Sequence, residues 1–127
     1  MPIVKPLAAL LLLALAAGAR ADVGDRWPLL GFASQSDCRL AIASSGRAMQ
    51  IRAVGLIPGE TLRLVIANGD MKPIALLPRA SDDGKLLRYY FPFRLNRDAG
   101  LVDVTLVGAR CTLTASAPWT RNLVTIP

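Results

Sequence analysis

Histidine is absent from all 127 residues. Its absence removes the commonest general base, the commonest metal ligand and the usual pH switch. No Ser-His-Asp or Cys-His catalytic site can form within the chain. Cysteine is nearly as scarce. Cys38 and Cys111 are the only two, too few for a four-thiolate zinc site and without the C-x-x-C spacing that activates a thiol. Charged residues make up only 19% of the chain and aromatics 6%. There is no Gly-rich phosphate loop, no D-x-[DN]-x-[DN]-G calcium loop and no S-x-x-K motif. Asp82, Asp83, Asp98 and Asp103 have no ligand-like spacing, and Asp in a turn usually caps its own backbone. No catalytic, cofactor or metal residue is assigned, and the expectation is a protein that is not an enzyme.

Residues 1–21, MPIVKPLAALLLLALAAGARA, carry the clearest message. Lys5 gives a short positive start, Leu7 to Ala17 is an unbroken apolar run, and Ala19-Arg20-Ala21 ends it with small residues at the two positions a signal peptidase reads. Those parts make a secretory signal. The apolar run is shorter than the roughly 20 residues a spanning helix needs, and nothing in 22–127 is long enough either. We therefore expect an exported chain, periplasmic or extracellular, with one domain over 22–127 and no transmembrane segment. Loss of Lys5 and Arg20 leaves thirteen basic against nine acidic residues, a net charge of +4. The basic residues are dispersed, which argues against a nucleic-acid partner. An oxidising compartment favours a Cys38–Cys111 disulfide closing a loop of more than 70 residues.

The rest of the chain alternates β-rich runs with Gly, Pro, Asn and Asp. Strands are expected at Arg39–Ser44, Gln50–Ile57, Thr61–Ala67, Ile74–Leu77, Lys85–Phe91, Leu101–Val107 and Arg110–Ala115, with a terminal edge strand at Arg121–Ile126. No window holds a helical period over three turns. Seven or so strands at intervals of roughly ten residues point to an all-β, antiparallel sandwich. A small closed barrel is the alternative.

Gly55-Leu56-Ile57-Pro58-Gly59-Glu60 precedes one alternating strand, Asp82-Asp83-Gly84 precedes another, and Gly100 opens Leu101-Val102-Asp103-Val104. Over about residues 48–116 this pattern resembles immunoglobulin-like and fibronectin-III-like modules of bacterial exported proteins. The resemblance implies a fold, not an activity. The chain departs from antibody-type domains in having no Trp at a fixed distance after Cys38.

Two sets of residues are candidates for contact. Lys85 to Arg97 holds Tyr89, Tyr90, Phe91 and Phe93, four of the seven aromatics, beside Arg88, Arg94 and Arg97. Strand alternation separates Tyr89, Phe91 and Phe93 from Arg88 and Tyr90. Arg88, Tyr90, Arg94 and Arg97 are the candidate binding face, because Tyr and Arg anchor interfaces. The competing assignment is a core strand with a solvated outer face. Trp27 and Trp119 stand near opposite ends of the exported part, either capping the core or offering stacking surfaces. The expected function is a binding or structural role with an envelope protein as partner. The alternative is a small-ligand or glycan binder using the exposed aromatics.

Overall fold

The structure, a computed structural model, describes residues 27–45 and 47–121. The signal segment, 1–21, and 122–126 of the expected terminal strand lie outside the described residues; Arg121 is in a turn. Eight strands follow one another: β1 (Leu29–Gln35), β2 (Cys38–Ser44), β3 (Met49–Val54), β4 (Arg63–Asn68), β5 (Ile74–Leu76), β6 (Leu86–Tyr90), β7 (Ala99–Val107) and β8 (Thr112–Thr120). There is no helix among the described residues. The strands form two four-stranded antiparallel sheets, ordered β1-β2-β3-β6 and β5-β4-β7-β8.

Seven of the strands fall where alternation placed them. The additional one, β1, has no clean period: its register slips between Leu29 and Gly31. A bulge of this kind breaks the two-residue repeat that marks a strand in sequence. The last strand runs to Thr120, through Pro118. It tolerates that proline because β8 is bonded only to β7, so one side needs no donor.

Alternation sets the core. Leu40 and Ile42 on β2, Ile51 on β3, Leu64 on β4, Val102, Val104 and Leu106 on β7 and Leu113 on β8 are all buried in one cluster with both cysteines. Each such side chain contributes about 1.5–3 kcal/mol by leaving water. Cys38, which opens β2, and Cys111, just before β8, form a disulfide with Cα atoms 6.5 Å apart. It ties one sheet to the other across a separation of 73 residues.

The two sheets meet closely along one side. There β1 lies against β8: a Cβ on Gly31 would stand 2.2 Å from the Ser116 carbonyl oxygen, so only glycine permits the approach. Gln35 Oε1 also accepts the Thr112 amide at 2.7 Å. The opposite edges are β5 and β6. β5 has only three residues, between Pro73 and Pro78, and its inward-phase Ile74 and Leu76 stay exposed. Such an edge is short and proline-guarded. β6 is longer and has no proline within it.

Candidate functional site

The residues singled out in sequence separate into two places. At one end of the molecule, the β4–β5 turn, the loop after β6 and the end of β8 converge. Trp119 is buried on β8, and its indole Nε1 donates to Asn68 Oδ1 at 3.1 Å. Asn68 closes β4 and is itself 3% exposed. Its Nδ2 donates to the Pro92 carbonyl at 2.8 Å and to the Tyr90 hydroxyl at 3.3 Å. Phe93 meets the indole edge-on, ring centroids 5.9 Å apart. Every polar atom of the amide is thus engaged, as burial requires.

Just outside this network, Asp70 accepts from Arg94 Nη1 at 2.7 Å and faces Arg97 Nη2 at 3.5 Å. The Arg94 hydrogen bond and charge hold the Asp70 carboxyl below its ordinary range, with Arg97 adding to the effect. Arg94 also offers its carbonyl to the Arg121 guanidinium. Of the four candidate-face residues, Tyr90, Arg94 and Arg97 therefore stand together at this end, with Tyr90 and Arg94 hydrogen-bonded and Arg97 ion-paired to the protein itself. Arg88 stands apart, on the β6 edge.

β6 has the opposite phase from a strand whose Arg88/Tyr90 side is solvated. Leu86, Arg88 and Tyr90 pair with Ala53, Ile51 and Met49, all buried, so their side chains take the inward phase. Arg88 is exposed despite this, because no strand covers β6 on its far side. Leu87 and Tyr89 point outward, 46% and 51% exposed. Phe91 follows, also exposed. Sequence alone could not decide the phase: in Leu86-Leu87-Arg88-Tyr89-Tyr90 both alternating sets are largely apolar or aromatic.

Backbone directions along β6 follow from neighbouring bonds. The Ser44 amide donates to Pro28 O and the Ser45 amide to Ala48 O. Because directions alternate along a strand, Met49, Ile51 and Ala53 turn their backbone groups toward β6. Leu86, Arg88 and Tyr90 answer them. Leu87 and Tyr89 therefore present their N–H and C=O groups to the free side. In agreement, the Leu87 carbonyl accepts from Arg88 Nη1 at 3.0 Å.

Trp27 is not beside Trp119. It is half-buried against Tyr89, rings edge-on with centroids 6.4 Å apart. Tyr89 OH accepts from Gln50 Nε2 at 3.4 Å. Near the start of β6, Arg52, Val54, Ser81, Lys85 and Leu87 line a groove of about 220 Å³. Here Lys85 pairs with Asp83 at 3.6 Å. The Asp83 carboxyl is held low chiefly by the Ser81 hydroxyl, a turn contact. No group of three or more His, Cys, Asp or Glu is placed to hold a metal among the described residues. Among the described residues no helix is long and apolar enough to cross a membrane.

Comparison with protein families, with curated proteins and with solved structures finds nothing that matches the chain.

Proposed function

We propose that this is an exported, non-enzymatic β-sandwich of the immunoglobulin-like or fibronectin-III-like kind, which binds an extended segment of an envelope protein along β6. The leader-like residues 1–21 and the Cys38–Cys111 disulfide favour an oxidising compartment. Strand order favours the sandwich. Taking β2 to β8 as seven successive strands, the sheets read 1-2-5 and 4-3-6-7. Constant-type immunoglobulin domains read 1-2-5-4 and 3-6-7, so the orders differ only in which sheet takes the short fourth strand. β1 is then an extra strand beside the first.

The observation that carries the binding role is the free edge of β6. It joins backbone groups of Leu87 and Tyr89 that no neighbouring strand bonds to outward Leu87, Tyr89 and Phe91 side chains. Strand addition uses this combination: the backbone supplies affinity and alternate side chains supply choice.

Cross-linked capture from the native envelope fraction tests the reading, with oxidised protein and a Leu87→Pro variant. Proline there removes the amide facing the free edge and spares the bonds to β3. A partner captured by the parent protein and lost by a variant whose β3 signals are unchanged is the expected result. Equal capture by both would remove β6 as the site.

A further inference from the structure

The partner's chemistry is open in that reading, and three features of β6 narrow it. The free Leu87 carbonyl is covered by the guanidinium of its own neighbour, Arg88. The strands of the β1-β2-β3-β6 sheet carry Arg39, Arg52 and Arg88 and not one carboxylate. Lys85 and Arg52 line the groove at the start of the strand, with Leu87 and Val54 beside them.

We propose that the β6 edge accepts an acidic extended segment of a partner protein, with Arg88 as both the gate and the residue that selects it. The inference rests on the strand-docking reading. A strand bonding to Leu87 and Tyr89 must take the Leu87 carbonyl from the Arg88 guanidinium. Arg88 lies between those two residues. In an added antiparallel strand it occupies a pair position without mutual hydrogen bonds, where facing side chains are closest. A carboxylate opposite it re-partners the displaced guanidinium, as opposite-charge cross-strand pairs do. A neutral strand leaves the guanidinium without that partner.

The same residue disfavours two other occupants. A second copy pairing β6 with β6 about Arg88 would set two guanidinium groups face to face. An anionic lipid surface could meet the arginines, but it supplies no strand for the Leu87 and Tyr89 backbone groups.

The test uses the oxidised exported chain and the capped peptide Thr-Val-Glu-Val-Thr, its Gln counterpart, its Lys counterpart and phosphatidylglycerol vesicles. Amide shifts of Leu87 and Tyr89 report docking. The Glu peptide is expected to bind about two- to fivefold more tightly than the Gln peptide, the range of one cross-strand ion pair. The preference should vanish in Arg88→Ala and turn toward the Lys peptide in Arg88→Glu. Both variants change an exposed side chain, so the fold should persist. Equal binding of the Glu and Gln peptides, with the β6 amides shifted, would overturn the gate and leave strand docking intact. Vesicle binding without any peptide shift at β6, or no shift with any probe, would overturn both.

Discussion

Trp119 and Asn68 hydrogen-bond across β7, a strand that belongs to neither of them: the indole of β8 reaches the amide that ends β4. The pair also joins the sheets, since Asn68 holds Tyr90 of β6 and the Pro92 carbonyl. Asn68→Ala would leave the indole N–H, the Tyr90 hydroxyl and the Pro92 carbonyl without this partner. Unsatisfied buried groups cost about 1–3 kcal/mol each. With partial relaxation, we expect denaturant unfolding to show a loss of about 2–4 kcal/mol. A loss within experimental error would refute the bridging role.

Gly100 is what lets the indole cross β7. A Cβ there would stand 2.5 Å from Nε1 and 2.7 Å from Cε2 of Trp119. Gly100→Ala should displace the ring, costing about 1–3 kcal/mol as overpacked cores do, and should change Trp fluorescence. An unchanged spectrum and midpoint would show that the ring does not lie there.

The Cys38–Cys111 bridge closes 73 residues. In the chain-entropy treatment such a loop contributes about 4 kcal/mol. Unfolding with and without reductant, or of the Cys38→Ala/Cys111→Ala variant, should differ by about that amount. Equal midpoints would contradict a disulfide that constrains the unfolded chain.

Asp70 makes the acid response predictable in sign. Its folded pKa is lowered, chiefly by the Arg94 hydrogen bond. The associated stability is therefore present above the unfolded carboxylate pKa and fades as pH falls through the folded one. Its largely exposed position keeps the effect small. By NMR, the Asp70 carboxyl should titrate below ordinary aspartate and return toward it in Arg94→Met. The same titration in both proteins would break the assignment.

Much of the fold was legible in particular residues. Val102, Val104 and Leu106 alternate against Asp103 and Thr105, and β7 follows that alternation. The pair of cysteines, both after the leader-like run, pointed to the bridge that joins them. β1 was not legible, because the Leu29–Gly31 bulge destroys its period. Asn68 precedes Gly69, a pairing typical of tight turns. Its buried amide depends on Trp119, 51 residues away, a relation no local pattern encodes. Tyr89 and Tyr90 are adjacent and chemically identical, and only the register with β3 separates the outward ring from the inward one.

Amide exchange along β6, measured with the oxidised protein alone and then bound to the partner it captures, reaches the central claim most directly. Alone, the Leu87 and Tyr89 amides should exchange quickly while those of Leu86, Arg88 and Tyr90 are protected by β3. Bound, Leu87 and Tyr89 should become protected, as residues inside a sheet are. Protection that appears elsewhere, with those two amides still exchanging as in the free protein, would contradict strand addition at β6.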